Sequence, residues 1–265
     1  MLEESFLMNI YLVQMDIAWG DKQKNFSKVK ELLDSCAVLP DGLIILPEMF
    51  ATGFMHAPRE GMAEDFDDEN SETVKFLAEL AAKTGCIVQG GGIAQEKKYL
   101  KNHTGVFYPG EVAENVSYDK IQLFPSEQKN LVEGEDVITF PVSDMLVTPF
   151  TCYDLRFPEL FRDAIPLGAQ AFSIGASWPA VRAKHWEILL QARAVENQAF
   201  VFGVNRVGKD PYTEYAGGSM IISPKGEILA QAKDEECVVT TEIFTEDVVS
   251  WRKEFSALKD AGLLD

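Results

Sequence analysis

Residues 148–161 read TPFTCYDLRFPELF. A short apolar run delivers the chain to Cys152, followed at once by Tyr153-Asp154-Leu155-Arg156 and a helix led by Pro158, whose fixed φ and missing N–H suit a first helical position. A cysteine kept for packing belongs inside such a run, and this one stands at its exit. The strand MLVTPFTCYD (145–154), the helix from Pro158, the strand AQAFSIGAS (169–177), a helix over residues 183–197 and the strand AFVFGVNRV (199–207) make a β-α-β-α-β rhythm.

The same rhythm fills the first half. NIYLVQMD (9–16) is followed by an amphipathic stretch carrying Phe26, Val29, Leu32 and Leu33 and then by GLIILPEM (42–49). The helical pattern SETVKFLAELAAKTG (71–85) and the run CIVQGGGIA (86–94) complete it. Between the last two strands, AEDFDDENSE (63–72) reads as an acidic surface loop. Toward the end, SMIISPKGEILAQ (219–231) reads as a hairpin about Pro224-Lys225-Gly226, VVTTEIF (238–244) as a strand, and the tail from Thr245 as helical and exposed. Near-continuous apolar runs such as LIIL and AFVFGV belong to strands covered on both faces, which makes the fold class α/β. The pattern alone admits two packed sheets with helices outside or one doubly wound sheet. With no repeat, low-complexity segment or linker, residues 1–265 read as one domain.

At 265 residues and 46% hydrophobic content the chain can bury a substantial core. The formal charge of −18 repels a phosphate backbone, so nucleic acid is excluded as a partner, and an anionic substrate requires a locally placed cation. No apolar run approaches the roughly 20 residues of a membrane span, and MLEESFLMNIYL lacks the basic region of a signal peptide, so a cytoplasmic location is expected. Cys36, Cys86, Cys152 and Cys237 are scattered without a CxxC pair and read as free thiols, the first, second and fourth buried and inert. No His/Cys/Asp cluster has metal-ligand spacing, and GGGI (90–93) is not a dinucleotide fingerprint but a close backbone approach or a bend, so no metal or cofactor is expected.

A thiol reacts as its thiolate and requires a base or cation beside it. Only three histidines exist: His56 and His103 in loop-like stretches, and His185 opening a helix beside Trp186. Each reads as a surface or capping residue, which leaves the base to another side chain. In open α/β sheets reactive groups gather where strands end, and three polar residues stand at such exits: Glu48 after LIILP, Lys120 after VSYD and Cys152 after LVTPFT. Singly these read as edge charges and a small core residue; together they read as a site.

The contexts LPEMF (46–50), YDKIQLFPSE (118–127) and TCYDLRFPEL (151–160) resemble the nitrilase superfamily of carbon-nitrogen hydrolases. SWPAVRAKHWEILLQARAVENQAFVFGVNRVG (177–208) and YAGGSMIISPKGEIL (215–229) fit in the family's order, so the resemblance spans nearly the whole chain, and the omega-amidase branch is the most similar part of the superfamily. The resemblance implies an αββα sandwich of two packed mixed sheets, a homodimer, and a cysteine amidase releasing ammonia from small carboxylated amides such as 2-oxoglutaramate. N-carbamoyl amino acids or nitriles stand as alternative substrates for the same triad, and a non-catalytic binding protein as a further alternative.

By the same resemblance Glu48 is the general base, Lys120 the cationic stabiliser, Cys152 the nucleophile, and Glu127 the family's second glutamate. Amide hydrolysis requires these parts: a nucleophile, a proton carrier and donors for the oxygen that becomes negative. The backbone N–H of Tyr153 is expected as a second donor to that oxygen, and N–H groups at the turn and helix start are expected to lower the Cys152 thiol pKa. Trp178 and Arg182 lie in the loop after AFSIGAS, where Arg182 is expected to hold the distal carboxylate of the substrate. Arg156 is expected to pair with a buried acid, and Arg193 with Glu196 on a helix.

Overall fold

The computed structural model describes residues 7–264. The first six residues of the MLEESFLMNIYL segment and the final residue of the FSALKDAGLLD tail lie outside them. The strands in chain order begin with β1 (Leu7–Gln14), β2 (Leu43–Ile45), β3 (Ala63–Glu64), β4 (Ile87–Glu96), β5 (Tyr99–Phe107) and β6 (Val116–Asp119). The second half supplies β7 (Phe140–Val142), β8 (Met145–Thr151), β9 (Ala171–Ala176) and β10 (Phe200–Asn205). A short ribbon of β11 (Val207–Lys209) and β12 (Glu214–Ala216) precedes β13 (Met220–Ile222), β14 (Ile228–Gln231) and β15 (Cys237–Phe244). One sheet has the order β15-β1-β2-β4-β5-β6, with β3 beside β4, and the other β14-β13-β10-β9-β8-β7. Each has a parallel centre, β1-β2-β4 and β8-β9-β10, flanked by antiparallel strands.

Alternation along the central strands shows why the two sheets stack. Ile10, Leu12, Leu43 and Ile45 turn to one face and meet Val147, Phe200, Phe202 and Ile221 of the other sheet in an apolar inter-sheet layer. Tyr11, Val13, Ile44 and Leu46 turn to the opposite face, under α1 (Lys22–Asp34) and α2 (Glu72–Thr84). On the far side Phe150, Phe172, Ile174 and Val201 lie under α3 (Pro158–Ala164) and α4 (Ala183–Asn197). Apolar side chains on both faces of β2 and β10 account for the unbroken runs LIIL and AFVFGV. The result is an αββα sandwich of two mixed sheets, which settles the choice that the residue pattern left open.

Most expected elements are present, including the helix from Pro158, the helix over 183–197 and the hairpin of β13 and β14. Three readings change. The acidic segment 63–72 is not wholly a loop: β3 pairs with β4, and Glu64 forms an ion pair with Lys22 at 3.1 Å. His103 lies inside β5, not in a loop. The tail forms α5 (Glu246–Glu254) and α6 (Ala257–Asp260) as expected, yet Val248 and Leu258 are buried in the inter-sheet layer and the second helical layer. The GGGI segment is a close approach within β4, since a Cβ on Gly91 would collide with the His103 carbonyl oxygen of β5. Among the described residues no helix is long and apolar enough to cross a membrane.

Candidate active site

Strand β8 leaves the sheet at Thr151, and Cys152 opens a 3-10 turn, Cys152–Arg156, with φ of 46°. A left-handed conformation costs a non-glycine residue about 1–2 kcal/mol, so neighbouring groups must hold it. Asp154 does so. Its Oδ2 accepts from the Thr151 N–H at 2.9 Å and the Tyr118 hydroxyl at 2.7 Å, while Oδ1 accepts from the Gln122 N–H at 2.8 Å. Burial pushes the Asp154 carboxyl up to about 6, against the pull of Lys120 and of these three donors. The strand exit at Cys152 is thereby fastened to the chain that carries Lys120.

Glu48 reaches the same place from the end of β2, and Gly175 of β9 allows that approach, because a Cβ there would stand 2.9 Å from the Leu46 carbonyl oxygen. Glu48, Lys120 and Glu127 have fully buried side chains. Lys120 Nζ donates to Glu48 Oε1 at 2.8 Å and to Glu127 Oε2 at 2.7 Å. Asn102 Nδ2 also donates to both carboxylates, at 2.8 Å to Glu48 Oε1 and 2.7 Å to Glu127 Oε1. The backbone N–H groups of Ser177 and Phe124 complete the set, at 2.9 Å to Glu48 Oε2 and 2.8 Å to Glu127 Oε2. An ammonium carries three protons; two go to the carboxylates, which leaves one for the cavity that Lys120 helps to line.

The electrostatics are those of a crowded buried cluster. Burial lowers the proton affinity of Lys120, but the Glu48 and Glu127 carboxylates outweigh it and hold the amine well above the ordinary lysine range. Burial, then the negative charge of Glu48, push the Cys152 thiol well above its ordinary value, with Lys120 opposing. This corrects the expectation that N–H groups at the turn lower the thiol. A thiol held up in this way needs a neighbouring base to take its proton before it can act as a nucleophile.

A cavity of about 320 Å³ opens over Cys152 and Lys120, within the range that suits a small ligand. Tyr153, Trp178 and Arg182, the three residues expected at the substrate end, all line it, with Phe54 and Phe124 adding aromatic wall. Arg156 lines it too and does not pair with a buried acid. Its guanidinium lies 4.6 Å from the Trp178 ring centroid, and that of Arg182 lies 5.7 Å from the Phe124 centroid. Burial and then the positive charge of Arg182 lower the Arg156 pKa. Among the described residues neither arginine has a carboxylate within ion-pair distance, and only the weaker pull of Tyr153 and Cys152 opposes their repulsion. Among the described residues the one acid on the cavity wall, Asp210, is already engaged by the Tyr212 and Thr213 N–H groups at 2.7 and 2.8 Å and the Tyr215 hydroxyl at 2.6 Å.

Asn102, Asp154, Arg156, Ser177 and Asn205 are contributors that the sequence reading did not assign to the site. Asn205 accepts from the Trp178 N–H at 2.7 Å and donates to the Trp178 carbonyl at 3.2 Å, clamping the segment that presents Trp178 to the cavity. A polar residue closing the apolar run AFVFGVN was the available signal for it. Elsewhere, Arg193 and Glu196 form the expected ion pair at 2.7 Å. Of the other thiols only Cys86 is buried, Cys36 and Cys237 being half-buried.

A family model described as carbon-nitrogen hydrolase matches residues 10–253. A 2-oxoglutaramate amidase of Bacillus subtilis is 32% identical over 253 residues, covering 95% of this chain and 96% of that protein. The omega-amidase YafV of Yersinia enterocolitica is 33% identical over 258 residues, covering 96% of each. Among solved structures, a CN-hydrolase superfamily protein from Xanthomonas campestris with an arsenic adduct in its active site is similar at a TM-score of 0.88 and 32% identity, covering 96% of this chain and 97% of that one.

Proposed function

The chain belongs to the carbon-nitrogen hydrolase family and is an amidase acting on C–N bonds other than peptide bonds, and from that premise we propose that it is a cytoplasmic omega-amidase-like enzyme hydrolysing small amides that carry a carboxylate, such as 2-oxoglutaramate. The observation that carries the substrate class is the pair Arg156 and Arg182, two guanidinium groups without carboxylate partners in the cavity that holds Cys152. On a chain of formal charge −18, two such cations beside a small cavity favour an anionic group. The resemblance of the chain to 2-oxoglutaramate and omega-amidases points the same way.

In this reading Glu48 accepts the Cys152 proton as sulfur attacks the amide carbon. The third proton of Lys120 and the Tyr153 N–H stabilise the oxygen that becomes negative, and one such donor is worth roughly 3 kcal/mol in other acyl-transfer enzymes. The C–N bond then breaks, Glu48 returns the proton, and ammonia leaves a thioester on Cys152. Water attacks the thioester with Glu48 as base, the C–S bond breaks, the acid departs and the thiol is restored. Glu127 holds the Lys120 ammonium together with Glu48.

Ammonia release from 2-oxoglutaramate, succinamate, neutral short amides, N-carbamoyl amino acids and nitriles tests the reading. The carboxylated amides are expected to have the highest kcat/KM, together with a transient acyl mass on Cys152. Preference for carbamoyl compounds or nitriles would replace the substrate assignment while leaving the thiol chemistry. We also expect two copies to pair, since the exposed residues Val181, Ile188 and Val195 recur every seven residues along α4 and the turn before it. Light scattering at micromolar concentration is expected to give twice the chain mass, and a monomer there removes that expectation.

A further inference from the structure

Asn102 is 1% exposed and does not border the cavity, yet it is the only neutral side chain that touches both glutamates of the described cluster. A carboxylate oxygen in an ion pair with lysine cannot donate, so the atom of Asn102 that faces both must be the NH₂ group, with one proton for each. Glu48, Lys120, Glu127 and Asn102 therefore close a ring of four hydrogen bonds, all between 2.7 and 2.8 Å. With both glutamates ionised and the lysine protonated the ring carries one net negative charge.

That charge sets what Asn102 can be. An aspartate of the same shape would add a third carboxylate to a buried cluster, and an apolar residue would leave two carboxylate oxygens short of a donor. A lysine would neutralise the ring and compete with Lys120 for the base. An amide gives two charge-assisted hydrogen bonds without altering the charge. The backbone fixes it in place: the Lys120 N–H donates to the Asn102 carbonyl at 2.9 Å, and Asn102 pairs with Ile93 across β4 and β5. Strand alternation sends the next residue, His103, to the other face, where Asp119 and Glu114 hold it at 2.8 Å each. The pair Asn102–Lys120 on one face is thus backed by His103–Asp119 on the other.

We propose that Asn102 is a positioning residue that holds Glu48 and Glu127 at a fixed separation around Lys120 and keeps the Glu48 carboxylate aimed for proton transfer with Cys152. The proposal rests on the amidase reading above. Losing the donor removes stabilisation of the Glu48 anion, so the acidic limb of the rate profile moves to higher pH, a change that loss of packing alone does not produce.

The test is Asn102→Leu, which keeps the volume without donors, and Asn102→Ser, which keeps one donor proton. For N102L, kcat for ammonia release from 2-oxoglutaramate is expected to fall at least about tenfold, KM to stay within about threefold, and the acidic limb to rise by about half a pH unit or more, with N102S between it and wild type. The same proteins are alkylated with chloroacetamide across that pH range and labelling is read at the Cys152 peptide. This second profile is expected to shift with the first, and it judges Asn102 even if the wild-type enzyme releases no ammonia from 2-oxoglutaramate, the outcome that would sink the substrate reading instead. A folded N102L with wild-type kcat and an unshifted limb overturns the proposal, as does a loss of activity with both pH profiles unmoved. If thermal unfolding shows N102L to be unfolded, N102S is held to the same two criteria.

Discussion

Lys120 Nζ lies 2.8 Å from Glu48 Oε1 with neither side chain exposed to solvent. The geometry makes each a liability without the other, because an isolated buried charge is far more costly than a buried pair. Lys120→Met is therefore expected to lower unfolding free energy by about 3–5 kcal/mol as two carboxylates lose their shared cation, and to abolish ammonia release. Urea unfolding monitored by tryptophan fluorescence measures the first. A folded K120M of wild-type stability would mean that the glutamates are satisfied without the ammonium.

Arg156 and Arg182 predict a change in selectivity rather than in chemistry. Each arginine truncated to alanine is expected to reduce kcat/KM for carboxylated amides by about ten- to a hundredfold, the scale of a lost charge-assisted hydrogen bond, and the double variant is expected to lose most of the preference over neutral amides. Arg182→Ala also tests the earlier single assignment, since an unchanged affinity for a monoamide acid there would leave the anion to Arg156 alone.

The backbone at Cys152 predicts a trade between stability and activity. With φ of 46°, this position is strained for any residue bearing a Cβ. Cys152→Gly is expected to unfold about 1 kcal/mol later than Cys152→Ala, with both inactive. Differential scanning calorimetry of the two variants decides it, and equal stability would show that the turn is relaxed.

How much of this could be read from the chain depends on whether a residue's partners are announced locally. Glu48 and Cys152 each close an apolar run and Lys120 stands at the exit of the strand VSYD, and a charged or nucleophilic residue at a strand exit is conspicuous without any fold. Asn102 is not, because it lies in the polar string LKNHT and takes its meaning from Glu48, Lys120 and Glu127, all far away in sequence. His103 reads as a loop residue for the same reason: what buries it is a pair of acids, Glu114 and Asp119, on adjacent segments, not an apolar pattern. For Arg156 the sequence suggests a buried acid partner. The 3-10 turn carries it round to Trp178 instead, a contact between residues 22 apart whose geometry only the fold supplies. The layering of helices on sheets followed from periodicity, whereas the choice of a sandwich over one sheet depended on which strand faces meet, and periodicity does not record that.

His103 yields a prediction about pH and stability. Its Nδ1 lies 2.8 Å from Asp119 Oδ1 and its Nε2 2.8 Å from Glu114 Oε2, with Lys101 on the other oxygen of Asp119 and the Phe66 ring 4.5 Å away. Burial disfavours the imidazolium, but the hydrogen bonds and charges of Asp119 and Glu114 overcome it and raise the His103 pKa from 6.5 to about 9. A histidine raised on folding binds its proton more tightly in the native state, so its contribution is full below about 6.5 and is lost as pH climbs through about 9, at most ~3 kcal/mol over that window. His103→Gln removes this term while keeping hydrogen-bonding capacity. The stability difference between wild type and H103Q, from urea unfolding at pH 6, 7.5 and 9, is expected to shrink steadily with rising pH. A difference that stays constant or grows across those three points would mean that His103 is neutral in the folded protein, with a single N–H to donate to one of its two acids.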